Sequence, residues 1–294
     1  IEIKSHDDYK LKAVYYPNNS EVTVICVHGY TSHAEREWAF PGLFYLSLGY
    51  NVLIPYQRAH GLSEGKYITF GALEYLDMVE WVNKVNEMKP NGKIIIHGLS
   101  MGGGIVLDLS NIQMENVKCL ISDAPNVSIE AVFKDISKQV FKSNSEKIVA
   151  YVTERFEKEF ECNVKDFEAV NRVSDSKYPI LLSAGSEENL EELFETIKEA
   201  NPQETEIIIL PGCNHGNGMY KQTQIYQGKI KEFIEKYMDL LHFLLPNYIK
   251  EGKTHLTVGI GCTGGQHRSI AIGIKIGQML QAEGYPVNLR HRDN

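Results

Sequence analysis

The run Ile94-Ile95-Ile96-His97-Gly98-Leu99-Ser100-Met101-Gly102-Gly103-Gly104 constrains this chain more than any other stretch. Three consecutive isoleucines read as a buried strand. The strand leads without a spacer into G-x-S-x-G and then into a helix beginning at Ser100. So sharp a reversal needs glycine on both sides, because side chains there would collide across the turn. It holds Ser100 in a strained conformation with its Oγ exposed above the carboxyl edge of a sheet, which makes Ser100 a candidate nucleophile. The pentapeptide alone says little, since this chain's glycines and serines would give about 0.1 such matches by chance. The context of strand, turn and helix carries the inference.

Apolar runs with strand character alternate with helical patterns along the rest of the chain, which predicts an α/β fold with a mostly parallel sheet flanked by helices. Strands are expected at Leu11–Tyr16, Val22–Val27, Asn51–Pro55, Lys93–His97, Cys119–Ser122, Ile180–Ala184 and Glu206–Leu210. Helices are expected near Glu35–Leu48, Gly71–Glu87, Ser100–Ser110, Leu190–Ala200 and Gln222–Met238, and the first strands read as hairpin-like. The interval 126–177 breaks this rhythm. Its apolar residues (Ile129, Val132, Phe133, Ile136, Val140, then Ile148, Val149, Val152, Phe156) recur at helical spacing. They describe either an extra helical layer or, as we read it, a lid above the carboxyl edge where such sheets bind ligands.

Residues 1–238 resemble the α/β-hydrolase superfamily, with several separated motifs in the expected order. The strand Val22–Val27 ends in His28-Gly29-Tyr30-Thr31-Ser32, similar to the family's H-G turn, and Gln57-Arg58-Ala59-His60-Gly61-Leu62-Ser63 resembles the R-x-H-G-x-S segment of its serine esterases and lipases. The resemblance implies an oxyanion hole made by the backbone N–H groups of Tyr30 and Met101. It gives His28 a structural role and makes Arg58 and His60 scaffold. His215, in the Gly-rich loop Pro211–Gly218 after the strand Glu206–Leu210, stands where the superfamily keeps its general base, and an imidazole titrates in the range that base chemistry needs. For the acid, the turn Gly185-Ser186-Glu187-Glu188 puts Glu188 in the family's G-x-x-D frame. Asp123, just past the strand Cys119–Ser122, is the alternative, and Glu187 or no acid at all are the remaining options. These implications add up to a serine carboxylic-ester hydrolase of small or medium acyl groups, working through Ser100, His215 and a carboxylate by way of an acyl-enzyme. Peptide or thioester hydrolysis by the same triad is the alternative reaction. With no H-E-x-x-H, C-x-x-C or cofactor loop, no metal or cofactor is expected.

The chain continues differently after residue 238. Six Lys/Arg stand against four Asp/Glu from Asp239 onward, whereas the preceding residues carry a net charge of −10. The run Gly261-Cys262-Thr263-Gly264-Gly265-Gln266-His267-Arg268-Ser269 and the later Asn288-Leu289-Arg290-His291-Arg292-Asp293 resemble the carboxyl-terminal domain of the bacterial RNase adapter/nucleotide-binding family. Residues 239–294 read as a partial βαβ appendage, joined by natural fusion or as a chimera. Its loop Cys262–Ser269 would gather backbone N–H groups and Arg268 around a phosphate or sulfate. Cys262 and Arg268 also satisfy C-x5-R, but the ordinary reading of that sulfur is that it lines the turn. A βαβ piece of 56 residues cannot cover both faces of its sheet. It must dock on the hydrolase, pair with another chain as a homo-oligomer, or be a fragment. The overall charge of −8 argues against RNA as a general partner. Five scattered cysteines and no apolar run of spanning length point to a cytoplasmic protein. The start at Ile1 rather than Met leaves room for a leader or anchor upstream.

Overall fold

The computed structural model describes residues 1–142, 146–238 and 287–288. The appendage loop Cys262–Ser269 and its expected anion site therefore lie outside the described residues. A first compact unit runs over residues 1–240. It is built in the order β1 (Glu2–Lys4), β2 (Lys10–Tyr16), β3 (Val22–Val27), α1 (Ala34–Ser47), β4 (Asn51–Pro55), α2 (Glu74–Met88), β5 (Lys93–Leu99), α3 (Met101–Asp108) and β6 (Val117–Asp123). There follow α4 (Ile129–Phe141), α5 (Glu146–Phe160), α6 (Ala169–Ser174), β7 (Ile180–Gly185), α7 (Glu191–Ala200), β8 (Thr205–Leu210), α8 (Gly218–Lys221) and α9 (Thr223–Met238).

The strands form one sheet in the order β1-β2-β4-β3-β5-β6-β7-β8, parallel from β4 to β8. At the other end the hairpin-like start resolves differently from a simple β2–β3 pair. Strand β2 pairs antiparallel with β1 on one side and with β4 on the other. The connection from β3 through α1 to β4 is long enough to cross over, so β3 lies one strand further in, beside β5.

Alternation along the central strands feeds two separate cores. In β3, Val24 and Cys26 face α1 and α9, while Ile25 and Val27 face α2 and α3. In β5, Ile95 joins the first set and Ile94 and Ile96 the second. A strand buried on both faces must be apolar at every position, which is why β5 reads as a continuous run and not as an alternating one. Trp38 and Tyr45 of α1 and Tyr226, Phe233 and Ile234 of α9 close one face; Met78 and Trp81 of α2, Ile105 of α3 and Phe194 of α7 close the other.

The interval between β6 and β7 is helical and closes on itself. Ser128 caps α4 through the Ala131 N–H (3.3 Å) and donates to Glu168 Oε1 (2.8 Å), while Ala169 N–H donates to Val127 O (2.9 Å), tying entry to exit. Helices α4 and α5 share a small apolar cluster of Phe133, Val149, Phe156, Val164 and Phe167 with Ala72. Helix α6 instead buries Ala169 and Val173 in the main core, so the end of this interval is scaffold.

Candidate active site

Ser100 caps α3 with φ +58° and ψ −117°, a backbone conformation that L-residues rarely adopt and that costs about 1–3 kcal/mol. Strand β5 runs to Leu99 and the helix begins at Met101, so the reversal is confined to Ser100 itself. The glycines permit it: a Cβ on Gly98 would overlap Gly102 O, and one on Gly102 would overlap Val27 O, all backbone atoms that cannot step aside. Two further bonds fix the turn, Ser100 N–H to Asp123 O (2.8 Å) and Asn126 N–H to Ser100 O (3.2 Å). The first backbone bond of α3 is Gly104 N–H to Ser100 O (3.0 Å). Met101 N–H therefore belongs to the donors that a helix start leaves without an intrahelical acceptor.

Three loops bring polar side chains to this point. His215 Nε2 lies 2.9 Å from Ser100 Oγ, and His215 Nδ1 lies 2.7 Å from Glu188 Oε2. A carboxylate can only accept, so Nδ1 carries the proton and the Nε2 lone pair faces the serine hydroxyl. Glu188 is held from the other side, since its Oε1 accepts the Gly185 N–H (2.8 Å) across the short 3-10 turn Ser186–Glu188. The acid and base loops are sewn together by Glu187 N–H to Cys213 O (2.9 Å) and Gly212 N–H to Ser186 Oγ (3.0 Å). Gly185 allows that approach, because a Cβ there would overlap the Cys213 carbonyl. The Glu188 hydrogen bond raises the pKa of His215 above its usual 6.5, against partial burial and with help from the nearby charges of Asp123 and Glu37.

Asp123, the alternative acid, is buried and otherwise engaged. Ser183 Oγ–H donates to its Oδ1 (2.6 Å) and Tyr226 Oη–H to its Oδ2 (2.7 Å). Burial pushes its carboxyl up to about 6 while the two hydroxyls pull it down. The chain of bonds goes on from Tyr226 to His97 Nε2 (3.1 Å) and from His97 Nδ1 to Tyr45 Oη (2.7 Å). Burial holds His97 neutral, with a pKa of about 3. Asp123 thus anchors the turn through its carbonyl and ends a buried polar network through its carboxylate. Glu187 offers His215 no side-chain bond among the described residues; it contributes its backbone.

The His28–Thr31 turn faces Ser100 from β3. His28 donates from Nδ1 to Gly29 O (2.8 Å) and accepts at Nε2 from Gln57 N–H (3.1 Å). Burial lowers its pKa to about 4, so it is a neutral structural ring. His60 accepts the Thr31 N–H at Nε2 (3.1 Å) and donates from Nδ1 to Arg58 O (2.9 Å). Arg58 forks onto Asp77 (2.7 Å twice) and Asp7 (3.0 and 3.2 Å). Those carboxylates, with His6, form the one group among the described residues with metal-ligand spacing. The Arg58 guanidinium already supplies their counter-charge.

Two residues near the site carry no motif that would announce them. Glu37 of α1 accepts the Gly29 N–H at Oε1 (2.7 Å), and Tyr226 of α9 reaches Asp123 from more than a hundred residues away. The only sequence signal for Glu37 is its place one turn into a helix that follows the H-G turn.

The serine aminopeptidase S33 profile matches residues 18–209, and the RapZ C-terminal domain profile matches residues 211–294. The two meet just before the loop that carries His215. Even so, Cys213, Tyr226 and Phe233 beyond that junction lie in the first unit's core. The Pyrococcus furiosus esterase Pf2001 is 28% identical, with a TM-score of 0.64 over 81% of this chain and 92% of that one. Est1E of Butyrivibrio proteoclasticus, solved with ferulic acid bound, shares the fold at 19% identity and TM-score 0.61 over 81% of this chain and 99% of its own. Among curated proteins, a nucleotide-binding protein of Desulfitobacterium hafniense is 57% identical over 63 residues, 21% of each chain, and one of Desulforamulus reducens is 48% identical over 82 residues, 28% of each. This chain therefore spans between a fifth and three-tenths of those relatives. Among the described residues no helix is long and apolar enough to cross a membrane. With its profile match over residues 18–209 and its eight-stranded sheet, the chain belongs to the serine aminopeptidase S33 family and is an α/β hydrolase.

Proposed function

We propose that this protein is a serine hydrolase of carboxylic esters of small or medium acyl groups, with Ser100 as nucleophile, His215 as base and Glu188 as acid. The observation that carries this reading is the unbroken hydrogen-bond path Ser100 Oγ–His215–Glu188, from a strained serine to a carboxylate that pairs with no Lys or Arg among the described residues. Ser100 Oγ attacks the acyl carbon and passes its proton to His215 Nε2, while Glu188 stabilises the imidazolium. The oxyanion is received by Tyr30 N–H and Met101 N–H, each typically worth about 3 kcal/mol of barrier. His215 then returns the proton to the leaving alcohol, and water activated by the same base releases the acid. Helices α4 and α5 serve as the lid in this reading: Phe133 meets Phe70 (ring centroids 6.2 Å apart), and Phe70 meets the half-exposed Tyr30 (5.4 Å).

A fluorophosphonate probe tests the proposal. Stoichiometric labelling that maps to Ser100 and disappears in Ser100→Ala is expected; folded protein that does not label refutes it. Comparing p-nitrophenyl butyrate with an amino-acyl p-nitroanilide separates esterase from peptidase chemistry on the same triad.

A second reading concerns the remainder of the chain, which falls within the match to the RapZ C-terminal domain profile. We propose that residues 262–269 bind a phosphorylated ligand. Binding of inorganic phosphate or sulfate that weakens at least tenfold in Arg268→Ala is the expected result, and unchanged affinity overturns it.

A further inference from the structure

The H-G turn presents three successive backbone N–H groups, and the two outer ones are already committed. Gly29 N–H donates to Glu37 Oε1 (2.7 Å) and Thr31 N–H to His60 Nε2 (3.1 Å). Between them stands Tyr30, whose N–H is one of the two oxyanion donors in the proposed mechanism. A carbonyl anchor completes the frame, with His28 Nδ1–H on Gly29 O (2.8 Å). Of these anchors, only Glu37 comes from a helix behind the turn rather than from a loop beside it. Its carboxylate and the Ser100 side chain both approach the Gly29 Cα. A Cβ built on Gly29 would sit 3.2 Å from Ser100 Cβ and 3.4 Å from Glu37 Oε2, so the two groups face one another across a bare Cα. Glu37 and His215 feel each other's charge, and Glu37 lines a crevice with Leu99, Asp123, Gly216 and Tyr220.

We propose that Glu37 is a positioning residue for the oxyanion site: its carboxylate holds the Gly29 N–H, and so aims the neighbouring Tyr30 N–H at the oxygen that becomes charged in the transition state. This role rests on the Ser100–His215–Glu188 reading. Backbone donors stabilise a transition state only when they are fixed before the charge develops. Gly29 has no side chain of its own to hold its peptide, so the orientation of its N–H depends on the acceptor that receives it. Glu37 acts on the transition state without touching it.

Two conservative variants separate reach from charge. Glu37→Asp keeps the charge but withdraws the carboxylate by one methylene from the Gly29 N–H. Glu37→Gln keeps an oxygen acceptor at the same reach and removes the charge. For a p-nitrophenyl ester, kcat of Glu37→Asp is expected to fall roughly 10- to 100-fold, as a displaced donor costs. KM should change by less than about threefold, since the interaction is made only in the transition state. Glu37→Gln should stay within about fivefold of wild type, as its amide oxygen restores the bond. Affinity for a phenylboronic acid, whose tetrahedral adduct on Ser100 puts an oxygen in the same place, should follow kcat across the series while melting temperatures do not. A Gln variant as impaired as the Asp variant, or losses confined to KM, would overturn the role of Glu37 alone. Wild-type protein that neither labels with fluorophosphonate nor turns over ester would overturn the hydrolase reading instead.

Discussion

Ser100→Ala, His215→Ala and the double variant are expected to fall to one shared residual rate, roughly 10⁴- to 10⁶-fold below wild type in kcat. The expectation follows from the path in which Ser100 Oγ and His215 Nε2 are 2.9 Å apart. A serine hydroxyl without a base to take its proton is scarcely nucleophilic, and an imidazole without the serine has nothing to activate. Removing either one removes the unit. In the proposed mechanism the remaining acceleration is the share of the Tyr30 and Met101 N–H groups, which neither substitution touches. Alanine at Ser100 leaves the hydrogen bonds of Ser100 N and O to Asp123 and Asn126 in place, so a folded, binding-competent control is available. Steady-state hydrolysis at enzyme concentrations high enough to see the floor checks the result. Losses that multiply in the double variant would mean that the two residues act independently.

How much of this was legible beforehand depends on whether each feature has a local cause. The turn at Ser100 does, because the strand, the glycines and the helix that force it are adjacent in sequence. His215 was legible because it occupies a Gly-rich loop directly after a recognisable strand. The carboxylate that meets His215 was legible only as a choice, since order along the chain cannot tell which carboxylate has a spare oxygen. Asp123 fits the same order, and only the folded structure shows its two oxygens committed to Ser183 and Tyr226, the second of them on α9. Glu37 was not legible, because it meets Gly29 by tertiary folding of α1 against the turn. The pairing of β2 with β4 was missed for a similar reason: antiparallel partners at the end of a sheet are set by the crossover between β3 and β4, and no residue of β2 records that. Interior helices α4 and α5 follow the 3.6-residue period, whereas the passage of α6 into the main core leaves no mark beyond Val170 and Val173, which fit a lid equally well.

The two carboxylates beside His215 should separate in a pH profile. His215 accepts a proton only when neutral, so kcat/KM is lost as pH falls through its pKa, which stands above 6.5 chiefly because Glu188 bonds to Nδ1. Glu188→Gln removes the raising charge, so the acid limb moves to lower pH. At the same time the plateau drops roughly 10³- to 10⁴-fold, because an amide offers Nδ1 a donor as readily as an acceptor and favours the tautomer with a protonated Nε2. A lower plateau together with an acid limb shifted to lower pH is a signature that loss of folded protein cannot produce. Asp123→Asn should also lower the limb, by less, since its charge ranks below that of Glu188 in the causes of the shift. Its plateau should fall less than about tenfold. Its main cost is to stability, about 1–3 kcal/mol, because an amide cannot accept both the Ser183 and the Tyr226 hydroxyl. A collapse of turnover in Asp123→Asn beside a near-wild-type Glu188→Gln would exchange their roles. The bond from Tyr226 to Asp123 gives the reason to expect otherwise: a carboxylate already accepting two buried hydroxyls has less charge to offer an imidazolium than one whose second oxygen, among the described residues, meets only a backbone N–H.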